Sequence, residues 1–202
     1  VLAVVTQSDK PSGRGLGLKA PAVKEAALRL GLRVLQPERP SSLCGELSAL
    51  SPDMAVVVAY GRILRPDLLA VAKHGFMNVH FSLLPKYRGA APVQRALMNG
   101  EAESGVTLFW LDAGMDTGPV QRRAATPVGE DEDAPPLFPR LVALGVSELR
   151  AALTDVAAGR VVREPQAGEP SLAPKLDAAA ARIGFEMSAR EVTDEAVRRL
   201  ST

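Results

Sequence analysis

The chain has 202 residues, enough to bury a substantial core, and one domain or one and a fraction is expected. Hydrophobic residues at 47% and charged residues at 23% are ordinary for a globular protein, and a formal net charge of +1 gives no overall basic field pointing to nucleic acid. The single cysteine, Cys44, excludes an internal disulfide framework; no apolar run reaches membrane-span length and no signal-peptide pattern opens the chain, so a cytoplasmic protein with no membrane partner is expected.

In chain order, Val1 to Val5 reads as a buried strand with nothing before it, which suggests a missing segment ahead of Val1. A glycine-rich loop, Gln7 to Ala20, leads to a helix opened by Pro21 and stopped after Leu30 by Gly31. Leu32 to Leu35 is a short strand, and Ser42 to Leu50 a helix with Ser41 or Ser42 as its cap. Met54 to Tyr60 is an apolar, β-branched strand of the fully buried kind. Pro66 starts a helix, Phe76 to Val79 forms a strand, and Pro92 starts a helix to Met98. Gly105 to Leu111 and Val120 to Thr126 are two further strands. The acidic run Glu130 to Asp133 and Pro135-Pro136 mark a loop, and Leu137 to Ala158 is a helix closed by Gly159. From Gly159 to Pro174 a strand-poor closing segment is expected, and Ala189 to Leu200 has a charged helical pattern. The alternation predicts an α/β protein with a doubly wound, largely parallel, Rossmann-like sheet.

The chemistry concentrates at residues 78 to 92. Asn78, His80 and Ser82 alternate after an apolar run, so in an extended segment they share a face at a strand end, where open α/β sheets bind ligands. Taken singly, Asn78 is as readily a cap or turn residue and His80 a satisfied structural histidine. The chain has two histidines, and His74 sits in a helix-end context, which leaves His80 as the one with polar neighbours placed to work with it. No second histidine or cysteine cluster stands near it, so no metal site is expected. A second candidate segment, Leu111 to Gly118, follows a strand and carries Asp112 and Asp116 among glycines. Asp112 reads better as a turn former, whereas Asp116 lies nearer the strand ends. Asp116-Thr-Gly is not an aspartic-protease signature, since it occurs once and on an α/β pattern. Gly13-Arg-Gly15-Leu-Gly17 fails the dinucleotide fingerprint because position 18 is leucine.

Several longer motifs occur in order: Thr6 to Gly15, Val57-Val-Ala-Tyr60-Gly61, Asn78-Val-His80, Ser82-Leu-Leu-Pro85, Arg88-Gly-Ala-Ala-Pro92 with Gln94-Arg95, Ser104-Gly-Val-Thr107, Asp112 to Gly118, and Ala173-Pro-Lys-Leu176. On these, from Val1 to about Ala189, the chain resembles the methionyl-tRNA formyltransferase family. That resemblance implies formyl transfer from 10-formyltetrahydrofolate to the amino group of methionyl initiator tRNA, by a monomer without a metal. It carries the catalytic trio onto Asn78, His80 and Asp116 and substrate contacts onto Ser82, Leu83, Leu84, Pro85, Arg88 and Gly89. It places tRNA contacts on Lys10, Arg14 and Lys19, in a segment where basic side chains outnumber the acid Asp9. Chemically, the Asn78 amide and a protonated His80 would donate to the oxygen that gains charge, while Asp116 raises the histidine's pKa and helps relay the amine's proton. Ser82 is expected to support its loop, and Leu84-Pro85 is a candidate cis bond.

Two departures stand out: Phe81 replaces a usually small residue, which would reshape the pocket, and Gly184 stands where an acidic residue is common. The resemblance implies a catalytic domain over 1-175 lacking its first strand, and a linker over 176-202 towards an absent C-terminal domain that carries much of the tRNA surface. Rival readings are another folate-dependent formyltransferase or hydrolase with a different acceptor, and an inactive folate-binding fragment.

Overall fold

The computed structural model describes residues 1–12 and 17–177, and these divide into two compact units, Val1–Phe76 and the part beginning at Met77. Arg14, Gly184 and the helical pattern from Ala189 lie outside the described residues.

In the first unit, β1 (Val4–Val5) pairs in parallel with β4 (Val34–Leu35). Between them come an antiparallel hairpin of β2 (Lys10–Ser12) and β3 (Gly17–Lys19), then α1 (Ala22–Arg29). α1 follows Pro21 and carries Glu25 in its first turn and Arg29 in its last, each matched to the helix dipole. Gly31 adopts φ +66° just beyond its end, a left-handed stop that glycine takes without cost. α2 (Leu43–Leu50) buries Leu43 and Leu47, one turn apart on one face. Neither Ser41 nor Ser42 makes the expected side-chain cap. A 3-10 turn, Pro40–Ser42, runs straight into the helix, and Ser42 Oγ donates instead to the carbonyl of Arg39. β5 spans only Ala55–Val57, and Val58 is 50% exposed, so the strand is shorter and less buried than its composition suggested. Ala59 takes φ +44°, which breaks the extended path. α3 (Pro66–Leu69) completes the unit with Leu68 buried.

The second unit is organised on β6 (Phe76–His80), β8 (Glu103–Trp110) and β9 (Val120–Pro127), with β6 antiparallel to β8 and β8 antiparallel to β9. The α/β class stands, but the sheet is mixed rather than largely parallel. β8 and β9 are joined by the short loop 111–119, which can connect only antiparallel strands, and α4 (Pro92–Met98) returns the chain between β6 and β8 with reversed direction. α5 (Ala134–Ala157) packs across β8 and β9. It begins earlier than expected, with Pro135 and Pro136 in its first turn, where amide protons need no helical partner. A methyl group at Gly145 of α5 would lie 3.3 Å from Val79, 3.6 Å from Phe81 and 3.7 Å from Val106, so these side chains meet the helix. The core of the unit includes Met77, Leu108, Phe109, Leu137 and Leu141, each fully buried. Finally β7 (Arg88–Gly89) pairs in parallel with β10 (Leu172–Ala173), so the segment expected to be strand-poor comes back to build structure. Among the described residues, no helix is long and apolar enough to cross a membrane.

Candidate active site

On β6 the odd residues and the even residues part company. Val79, and Phe81 just beyond the strand, face α5, and Phe81 sets its ring edge-on to Phe138 with centroids 6.5 Å apart. Phe81 therefore packs against the helix and does not reshape the opposite face. Asn78 and His80 occupy that opposite face, since side chains two apart on a strand point the same way. Asn78 is half-buried, and its carboxamide makes no hydrogen bond among the described residues. Its two N–H donors are available for an incoming acceptor.

His80 is 6% exposed and edge-on to Phe109. Its Nε2 lies 2.9 Å from the carbonyl oxygen of Tyr87. A carbonyl only accepts, so Nε2 carries the proton, and Nδ1 is the nitrogen left to exchange one. The Asp116 carboxylate stands 3.8 Å from Nδ1. Burial holds the His80 pKa below its ordinary value; the Asp116 charge and the Tyr87 carbonyl pull the other way without overcoming it. Enclosure by apolar neighbours, which the sequence did not reveal, thus works against the protonated His80 expected from it and favours the neutral imidazole at rest.

Two residues beside this ring have left-handed backbones uncommon outside glycine. Asp116 takes φ +55° and Tyr87 φ +63°. The Oδ2 of Asp116 accepts from the amide of Gly89 at 2.8 Å, which aims the carboxylate. Tyr87 is anchored by its hydroxyl, which donates to Glu101 at 2.7 Å and accepts from Asn99 at 3.0 Å, and by its amide, which donates to Ser171 Oγ at 2.9 Å. Burial and the carboxylate of Glu101 push the Tyr87 phenol up to about 12, so it stays a donor at neutral pH.

The other expected contact residues divide by role. Ser82 Oγ donates to the carbonyl of Lys86 at 2.7 Å and closes the 82–86 turn. The Leu84–Pro85 bond is cis. Leu84 is 1% exposed, its side chain in the interior and its amide on Thr107 Oγ1. Leu83 is half-buried, Pro85 buried, and Gly89 adopts φ +127°, where a Cβ would meet the carbonyl oxygen of Ala173 at 2.7 Å. Arg88 is half-buried with Nη2 2.6 Å and Nε 3.2 Å from Gln166 Oε1. Asp112 accepts from the Gly114 amide and the Thr117 hydroxyl, a turn role. Lys10 and Lys19 are exposed and directly opposite in the β2–β3 hairpin of the first unit. Sequence reasoning missed three supports: Thr107, wholly buried, which ties the 82–84 backbone by donating to Ser82 O, and Gln166 and Ser171 in the closing segment. Their bonds span long sequence separations that no local pattern signals. No group of three or more His, Cys, Asp or Glu placed to hold a metal ion occurs among the described residues.

An unpaired carboxamide on the strand face of an imidazole with a carboxylate beside it is an arrangement that can stabilise charge on a carbonyl oxygen while moving a proton. The chain is a member of the formyl transferase family, whose model matches residues 1–153. It is 52% identical over 166 residues to the methionyl-tRNA formyltransferase of Halorhodospira halophila, covering 82% of this chain and 54% of that protein. It is 42% identical over 194 residues to that of Thermodesulfovibrio yellowstonii, covering 95% and 63%. The chain thus spans little more than half to under two thirds of these relatives. Among solved structures, it resembles glycinamide ribonucleotide transformylase 1 from Symbiobacterium toebii with TM-score 0.67 and 28% identity, over 80% of this chain and 78% of that one. An N-formyltransferase from Helicobacter canadensis, solved with folinic acid and dTDP-3-aminofucose, shares the fold at TM-score 0.75 and 18% identity over 98% and 80%.

Proposed function

We propose that this chain carries the catalytic centre of an enzyme that transfers a formyl group from 10-formyltetrahydrofolate to the amino group of methionyl initiator tRNA. The observation that carries this reading is the half-buried, unpaired Asn78 carboxamide next to the His80–Asp116 pair, in a chain 42% and 52% identical to the two methionyl-tRNA formyltransferases above. The bound folate would supply the formyl carbon. Asn78 donates to the oxygen that gains negative charge, a contact worth about 10²- to 10³-fold in rate. His80 begins neutral, so its Nδ1, with Asp116 beside it, takes the proton the amine loses as the new N–C bond forms. The imidazolium then lies between the Asp116 carboxylate and the Tyr87 carbonyl, and returns that proton to the departing nitrogen as the old C–N bond breaks.

The hairpin supports an anionic acceptor. Lys10 and Lys19 face each other across β2 and β3, an arrangement of like charges that weakens a hairpin unless an anion sits between them. Phosphates of a tRNA acceptor end would serve. Replacing either lysine by alanine is expected to weaken tRNA binding and reduce the slope of log affinity against log salt by about 1, read from filter binding across a salt series.

The deciding experiment offers the full-length protein 10-formyltetrahydrofolate with methionyl initiator tRNA, glycinamide ribonucleotide or a nucleotide-linked amino sugar. Transfer confined to the tRNA is expected. Transfer to a small amine alone would overturn the acceptor assignment, and folate binding without transfer to any of them would overturn the catalytic one.

A further inference from the structure

The closing segment brings one side chain to the middle of the site. Gln166 is half-buried and uses its whole amide. Its Nε2 donates to the carbonyls of Asp116 at 2.9 Å and Gly118 at 2.8 Å, and its Oε1 accepts from Nη2 and Nε of Arg88. Both N–H groups and both lone pairs are engaged, so the amide has a single orientation. The cation of Arg88 polarises it and strengthens the two bonds it donates. The circuit then closes on itself: Arg88 precedes Gly89, and the Gly89 amide donates to the side chain of the same Asp116 whose carbonyl Gln166 holds. The main chain around Gln166 is pinned as well, by the Val120–Glu164 bridge on one side and the β7–β10 pairing on the other.

We propose that Gln166 is a positioning residue for the His80–Asp116 pair, holding Asp116 in its left-handed turn by its carbonyl and so fixing how far the carboxylate stands from the imidazole. The inference rests on the reading of this site as a formyl-transfer centre and adds to it a residue that touches neither reactant. An aspartate favours the extended or right-handed regions over φ +55°, so a tie on the Asp116 carbonyl helps hold the turn in which Oδ2 stands 3.8 Å from His80. Among the described residues, Asp116 is the one ionisable side chain whose charge acts on His80. The distance between them therefore shows directly in how the histidine titrates. A tie that merely stabilised the loop would leave that titration alone.

The test is an NMR titration of the His80 ring in the full-length protein, for wild type, Gln166→Ala, Gln166→Met and Asp116→Asn, with turnover measured on the same samples. Gln166→Met keeps the length of the side chain, has no donor for the two carbonyls and adds no charge near the imidazole, so it decides the matter should the alanine variant fail to fold. Both Gln166 variants are expected to lower the His80 pKa in the same direction as Asp116→Asn and no further. Adding Gln166→Ala to Asp116→Asn should shift it no more, because the two act through one contact. Turnover should fall about 10²-fold, the cost of misplacing a catalytic group by roughly 1 Å, with the KM for the folate little changed. A His80 titration identical to wild type in the Gln166 variants would overturn the proposal whatever the turnover. The titration needs no substrate: an inactive wild type whose His80 pKa still depends on Gln166 would sink the transfer reading and leave the positioning role standing.

Discussion

His80→Ala is expected to reduce formyl transfer by about 10²- to 10⁴-fold, the range a general acid–base group supplies, while folate still binds. The size of the effect follows from the geometry. Nε2 is committed to the Tyr87 carbonyl, Asp116 stands 3.8 Å from Nδ1, and no other histidine belongs to this arrangement. The same residue also leaves a mark on stability. Burial lowers its folded pKa below the ordinary 6.5, so the unfolded chain takes up the proton first as the solution is acidified. The stability contributed by keeping the ring neutral is complete above pH 6.5 and is lost as the pH falls from there toward the lower folded value. Denaturant melts of wild type and His80→Gln between about pH 7.5 and pH 4.5 check this: the wild type should lose more stability on acidification than the variant. Parallel curves would show that His80 is not held neutral.

The second large effect is structural. Gly118 is buried in the loop joining β8 and β9, and a Cβ built on it would overlap the carbonyl oxygen of Trp110. Backbone, not a flexible side chain, would have to yield. The Trp110 amide is bonded to the Pro119 carbonyl at 2.8 Å, so any retreat disturbs the end of the β8–β9 pairing. Gly118→Ala should cost about 3 kcal/mol or more, at the upper end for overpacking. In a chain of this size that lowers Tm by roughly 6–12 °C, measurable by calorimetry. Gly45 serves as the control, because nothing lies within 4 Å of a Cβ there and it sits inside α2. Gly45→Ala should be neutral or slightly stabilising.

How much of this could be read in advance depends on the range of the forces involved. Locally encoded features came through: α1 with its proline start and Gly31 stop, the eight-residue β8, and the shared face of Asn78 and His80, which needs only the two-residue period of a strand. The β2–β3 hairpin escaped notice because Lys10-Pro-Ser12 has no apolar alternation to announce a strand. β5 was overestimated, since apolar composition reports a wish for burial and not whether the burial is found. At the site, the shared strand face of Asn78 and His80 was legible and the protonation of His80 was not. The state of His80 is decided by how thoroughly neighbours distant in sequence, such as Phe109, exclude water from it, and no pattern within ten residues of His80 carries that information. Gln166 and Ser171 were hidden for the same reason: each acts across a separation of 48 to 84 residues.

The parallel pairing of Leu172–Ala173 with Arg88–Gly89 has a practical bearing on where this chain can be cut. The trio Asn78, His80 and Asp116 lies well inside the stretch matched by the family model, which ends at residue 153. A truncation drawn at that boundary would keep all three side chains of the proposed site and discard the strand beside them and the glutamine proposed to brace them. Its domain limit in sequence and its domain limit in mechanics do not coincide, and the smallest portion able to keep the trio in register must extend through Ala173.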